Sequence, residues 1–184
     1  MEALFRSFLG RTYRAVPESQ AGKRPVNPVD ASFGAVSSNN RWNGKGFPTL
    51  YLAGDVGVVI GEWARNIEIT PIAVEEARPR PKEIWEIEVD LGSILDLRDE
   101  STLDALGISS FPTCFFAKEY CREVADRIRA DKSIHGILVP SLAFLDRPDR
   151  WCMVIFADNI PGYPGNHVRA IRSVAPLRSV GPSR

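Results

Sequence analysis

The sequence predicts an α+β fold, built as one compact domain from several strands and a few helices. Three observations predict it. Apolar residues follow a period of two in some stretches and a helical period in others along the 184 residues. Strand-like and helix-like stretches do not alternate regularly, as they would in a doubly wound sheet. No break in composition marks a second domain, and the length suits one.

The elements follow in order. Thr12 to Val16 and Thr49 to Ala53 read as short strands. Between them, Pro17 to Asn40 is rich in Pro, Ser, Asn and Gly without periodicity, and is expected to be a long loop, functional or mobile. Asp55 is a fitting helix N-cap, because Val56, Val59, Ile60 and Trp63 then recur at helical spacing to about Asn66. Trp85, Ile87 and Val89 alternate with Glu86 and Glu88, the pattern of a half-buried strand over Glu83 to Val89. Ser101 to Leu106 forms a short helix closed by Gly107. A longer helix runs from Thr113 to about Ala130, with Ala117, Tyr120, Cys121, Val124, Ala125 and Ile128 on one stripe. Gly136 to Pro140 and Trp151 to Ala157 read as buried strands, and His167 to Val174 as a weaker one.

Charge and composition exclude several classes. The chain has 23 Lys and Arg against 23 Asp and Glu, so its formal net charge is zero. That argues against a general binder of nucleic acid or membrane surfaces. The zero arises by cancellation. Met1 to Gly54 carries a net +4, and Asp55 to Asp104 a net −8. The carboxylates between Glu83 and Asp104 are expected to point outward as a docking face for a basic partner. Three cysteines, Cys114, Cys121 and Cys152, form no Cys-x-x-Cys pair, which favours structural thiols in a reducing compartment. Two histidines are too few for a His-rich zinc site, so no metal is expected. The first residues are not a signal peptide, and the longest apolar run is far short of a spanning helix. A soluble, cytoplasmic protein is expected.

The common catalytic motifs are missing. Asn43-Gly44-Lys45-Gly46 precedes a strand rather than a helix, so it is no dinucleotide fingerprint. Ser141 lacks the flanking glycines of a nucleophile elbow. The segment SSNNRWNGKGFPTLYLA stands out instead, because it gathers Arg41, Trp42, Asn43, Lys45 and Tyr51 where a loop meets a strand. A guanidinium can grip phosphate with paired hydrogen bonds, and an aromatic ring can stack on a flat base. Equally, Trp42 and Tyr51 can simply plug the core, Glu62 can be a surface carboxylate, and Ser141 a turn residue.

Together these pieces resemble the RES domain family, named for its Arg, Glu and Ser. The matching pieces are Tyr13-Arg14-Ala15-Val16, Gly34-Ala35, Arg41-Trp42-Asn43 with Gly46, Pro48 to Ala53, Gly61-Glu62 and Gly136 to Ser141. The resemblance spans roughly Arg11 to Asn159. It implies an ADP-ribosyltransferase-like fold of mixed, mostly antiparallel sheets over the single domain 1–184. It also implies an NAD-degrading toxin of a bacterial toxin–antitoxin pair, cleaving the nicotinamide–ribose bond with inorganic phosphate or water as acceptor. NAD would be substrate, with no cofactor.

By the same resemblance Arg41, Glu62 and Ser141 are the catalytic residues, and Arg14, Trp42, Asn43 and Tyr51 bind NAD. Arg14 and Arg41 would clamp the pyrophosphate and Tyr51 would stack near the nicotinamide. Glu62 would stabilise the oxocarbenium-like state, and Ser141 would orient Glu62 or the ribose. The implied partner is an Xre-type helix-turn-helix antitoxin, with DNA read by that partner and not by this chain, and with homo-oligomers formed inside such a complex. Two alternatives stay open. One is a transferase that modifies a macromolecule. The other is a non-catalytic module gripping single-stranded nucleic acid through Arg14, Lys23, Arg24, Arg41 and Trp42.

Overall fold

The computed structural model describes residues 4–19, 25–37, 40–69, 81–147 and 149–177. One six-stranded sheet organises them, and β3 (Lys82–Asp96) is its spine. β1 (Phe5–Pro17) runs antiparallel along all of β3, from Phe5 opposite Leu95 to Pro17 opposite Lys82. On its other edge β3 is shared. Its first half pairs antiparallel with β6 (Val168–Leu177), and its last residues pair parallel with β4 (Gly136–Pro140). β4 pairs antiparallel with β5 (Trp151–Phe156), and β5 with β2 (Thr49–Ala53). β2 then touches β1 at Tyr13 opposite Ala53, which closes a ring of five strands.

Burial of both faces explains this closure. β2, β4 and β5 are apolar on both sides, which a strand tolerates only when both sides are covered. Leu50, Leu52, Met153 and Ile155 join Ile87, Val89 and Leu91 of β3 in the core. From the opposite face Val139, Val154 and Phe156 meet the apolar stripe of α4 (Lys118–Arg129), namely Cys121, Val124, Ala125 and Ile128. α2 (Val56–Ile69) packs Val58 and Val59 onto Ala53 and Ile84, with Tyr13 and Ala15 beside them. Asp55 caps this helix, its Oδ1 accepting from Val58 N at 2.9 Å. α3 (Glu100–Ala105) is capped by Asp99 in the same way.

Four differences from the expected elements have physical reasons. β1 begins at Phe5 rather than Thr12, because backbone pairing with β3 carries it past Leu9, whose side chain is 77% exposed. β3 continues to Asp96 for the same reason, past Gly92 and Ser93. The expected loop contains a short helix, α1 (Ser32–Val36), held where Gly34 lies so close to the Thr49 backbone that a Cβ would collide with it. The helix expected from Thr113 starts at Lys118. Thr113–Phe116 is a separate 3₁₀ turn, and Ala117 between them is extended. That break turns Phe115 into the core against Trp42, with ring centroids 4.9 Å apart. It also frees two carbonyls for another use.

The carboxylates between Glu83 and Asp104 point outward only in part. Glu86 is 2% exposed and accepts from Arg11 of β1 and Arg172 of β6, each at 2.8 Å. Glu88 accepts from Arg169, and Asp96 from Arg98 and Arg6. Arginines from the flanking strands and the adjoining turn neutralise these carboxylates, and the bond from Arg172, then that from Arg11, holds the Glu86 carboxyl below its usual range. Strand pairing thus cancels part of the local charge excess, while Asp90, Glu100 and Asp104 stay exposed.

Candidate active site

A cleft of about 570 Å³ opens where α2 crosses the strand ring. Tyr13 to Ala15 of β1, Tyr51 to Ala53 of β2, Val139 and Pro140 of β4, and Cys152 and Val154 of β5 line it. Glu62 faces into it from α2. The next residue after β4, Ser141, is fully buried behind the lining, and its hydroxyl donates to Glu62 Oε1 at 2.6 Å. The backbone N–H of Ala143 donates to the same oxygen at 3.1 Å. Both bonds fall on Oε1, and among the described residues no protein hydrogen bond falls on Oε2. A carboxylate fixed by one oxygen thus offers the other to the cleft.

Gly61 makes this approach feasible. A Cβ there would run into the ring of Phe144, three residues past Ser141 in the turn that carries the donors. Without a side chain at position 61 the turn 141–144 can lie against α2 and reach Glu62. Phe144 N in turn donates to Ser141 O at 3.1 Å, closing the turn.

Arg41 stands on another wall. Its Nη1 donates to the carbonyls of Phe115 and Phe116 at 2.7 and 3.0 Å, the two freed by the helix break. A continuous helix would use those oxygens itself. The preceding residue is clamped too, for Arg122 of α4 donates through Nε and Nη2 to the Asn40 carbonyl at 2.9 and 2.7 Å. Tyr51 lies beside them, its hydroxyl donating to Asn43 Oδ1 at 2.6 Å and accepting from Trp42 N at 3.1 Å. Burial pushes its phenol far above the ordinary range, so it stays neutral.

The remaining expected residues occupy supporting places. Asn43 is 1% exposed and does not line the cleft. Its Nδ2 donates to the carbonyls of Gly34 and Gly44, which staples the loop to α1. Trp42 contributes to the wall but is only 4% exposed, with its ring packed on Phe115, so it cannot stack on a nucleic-acid base. Arg14 lines the cleft, yet its Nη1 donates to the carbonyls of Pro28 and Asp30 at 2.7 and 3.0 Å, pinning the described part of the long loop. Burial pulls its guanidinium below its usual value. Lys23 and Arg24, needed for the nucleic-acid reading, lie outside the described residues.

The cleft also contains residues the sequence did not single out for the site: Tyr13, Trp63, Arg65, Lys82 and Lys118. Arg65 follows Glu62 by three, so helical spacing could have placed it on the same face. Lys82 carries no such signal. Two sequence features play no part here. Cys152 lines the cleft, but burial raises its thiol far above the reactive range, and all three cysteines are free. Among the described residues no three His, Cys, Asp or Glu side chains come together to hold a metal. No described helix is long and apolar enough to cross a membrane.

Comparison with known proteins bears on the family and the fold. The model of the RES domain matches residues 11–175. The chain is similar to a solved structure from M. tuberculosis, the MbcT–MbcA toxin–antitoxin complex, with a TM-score of 0.70 and 19% identity over 92% of this chain and 85% of that one. No curated relative matches by sequence.

Proposed function

The chain belongs to the RES domain family, and from that premise we propose that it is an NAD-degrading toxin enzyme that cleaves the bond between nicotinamide and ribose. The observation that carries the proposal is the Glu62 carboxylate, fixed on Oε1 by Ser141 and Ala143 and turned by Oε2 into a cleft whose other charged residues, among those described, are all cations. As nicotinamide leaves, positive charge develops on the ribose, as in glycoside cleavage. A carboxylate already oriented stabilises that charge without reorganising at the moment of reaction. The leaving group departs as a neutral ring from a pyridinium and needs no general acid. One carboxylate is therefore enough, in keeping with Glu62 as the one acid among the described residues that line the cleft.

Arg41 suits the pyrophosphate, being held by main-chain carbonyls that add no opposing full charge. Tyr51, neutral and fixed by Asn43, forms a flat wall for the nicotinamide. Ser141 acts through Glu62 rather than on substrate, because it is fully buried. Inorganic phosphate or water serves as acceptor. The partner suited to such an enzyme is an antitoxin of the Xre helix-turn-helix type that blocks this cleft.

Purified protein incubated with NAD, with and without phosphate, tests the proposal by mass analysis of products. ADP-ribose 1″-phosphate marks phosphorolysis and free ADP-ribose marks hydrolysis. Intact NAD in both reactions, with folded protein, overturns it. Glu62→Gln is expected to abolish turnover while NAD still binds; normal turnover in that variant removes Glu62 from the mechanism.

A further inference from the structure

The cleft holds more positive charge than its proposed substrate needs at one place. Among the described residues Arg14, Arg41, Arg65, Lys82 and Lys118 line it, against the carboxylate of Glu62 alone. These cations hang from separate elements. Arg41 belongs to the loop before β2 and is tied to the 3₁₀ turn that leads into α4, where Lys118 is the first residue. Arg65 lies on α2, one turn beyond Glu62 and on the same face. Lys82 is the first residue of β3, opposite Pro17 of β1.

Arg65 and Lys82 differ from the other three in being unpaired. Among the described residues neither side chain has a hydrogen bond or an ion pair, whereas those of Arg14 and Arg41 are held by carbonyls. Lys82 is withdrawn from water and near the Arg14 guanidinium, and burial first, then Arg14, lowers its ammonium below the ordinary value. A cation half removed from water, beside a second cation and with no carboxylate partner among the described residues, is stabilised most directly by an anion. Arg65 meets the same need from one turn past Glu62, where its positive charge offsets the repulsion an incoming anion would feel from that carboxylate.

We propose that Arg65 and Lys82 form a second anion subsite in the cleft, separate from Arg41, which takes a phosphoryl group beside Glu62. The subsite itself follows from the two unpaired cations; only the molecule that brings the phosphoryl group rests on the reading of the cleft as an NAD site. That molecule is either inorganic phosphate or the dinucleotide, through its pyrophosphate or through an added 2′-phosphate.

Titration calorimetry with inorganic phosphate and with pyrophosphate, on wild type, Arg65→Ala, Lys82→Ala and the double variant, tests the subsite directly. Loss of a charge-assisted contact is expected to weaken binding about tenfold or more per residue. Steady-state cleavage of NAD and of NADP over a range of phosphate concentrations then separates the sources. A rise in the KM for phosphate identifies free phosphate. A rise for NADP alone identifies the 2′-phosphate, and a parallel rise for NAD and NADP identifies the pyrophosphate. Arg65→Lys and Lys82→Arg, which keep the charge, are expected to recover much of the loss. The proposal is overturned if the alanine variants, with unchanged thermal midpoints, keep wild-type affinity for both probes and wild-type KM values for all three substrates. If wild type cleaves neither dinucleotide, the functional reading falls, and the titrations still judge the subsite.

Discussion

Replacing Ser141 by alanine removes one hydroxyl and very little volume, and it isolates the bond on which the orientation of Glu62 depends. The hydroxyl donates at 2.6 Å, the shorter of two bonds to Glu62 Oε1, while the Ala143 N–H at 3.1 Å remains in the variant. A hydrogen bond to a charged group contributes about 1.5–3 kcal/mol. If that energy acts in the transition state, kcat falls by about 10- to 150-fold. The residue is fully buried and makes no contact with the cleft, so the KM for NAD should hardly move. Continuous measurement of nicotinamide release over a range of NAD concentrations resolves kcat from KM. Wild-type kcat in Ser141→Ala refutes the orienting role. Complete loss of turnover, with the fold and NAD binding intact, refutes it from the other side, since the Ala143 N–H alone should keep part of the carboxylate population in place.

Three further outcomes are expected. Gly61→Ala forces the Phe144 ring away from α2 and the turn 141–144 with it, so kcat should fall along with a stability loss of about 1–2 kcal/mol by thermal or denaturant unfolding; unchanged kcat would separate the turn from Glu62. Arg122→Ala leaves the Asn40 carbonyl without its two donors and loosens Arg41 next to it, so the KM for NAD should rise several-fold with a smaller change in kcat, and Arg122→Lys should recover only part of it. Burial, and next to it His167, lowers the His135 imidazole below its ordinary value near 6.5. A depressed histidine binds its proton more readily unfolded than folded, so stability should fall as pH drops through about 6.5, and His135→Asn should flatten that dependence in unfolding midpoints taken from pH 5 to 8.

The site residues are legible through the family pattern, and the elements around them through local constraint. Gly61-Glu62 is legible only through the family pattern, since a lone helical carboxylate reads as surface and the close approach that Gly61 allows shows only in the fold. Asp55 is visible as a cap because its carboxylate answers a donor three residues on. The strands β2, β4 and β5 announce themselves because burial on both faces leaves continuous apolar runs. What stays hidden depends on partners far along the chain. Nothing near Glu86 says that Arg11 and Arg172 will neutralise it, so the acidic stretch looks like a docking face until β1 and β6 are laid beside β3. The stripe of α4 extends periodically upstream, and only Arg41, 74 residues away, shows why the helix stops short: its guanidinium takes the Phe115 carbonyl. Asn43 and Trp42 carry polar and aromatic groups suited to a ligand, yet tertiary packing turns one into a loop staple and the other into core.

The ring of strands also fixes when the cleft can exist during synthesis. Its walls draw on β1 and β2 near the beginning of the chain and on β4 and β5 far along it, and Glu62 must wait 79 residues for Ser141. Tyr51 pairs with Val154, and β3 lies between β1 and a β6 that ends at Leu177. A nascent chain with β5 still inside the ribosome has the Arg41 loop and α2 but neither the floor of the cleft nor the donor that aligns its carboxylate. For an enzyme that degrades NAD, translation itself then acts as a first safeguard: the polypeptide becomes competent only once the turn at Ser141 and β5 have both emerged to complete the cleft.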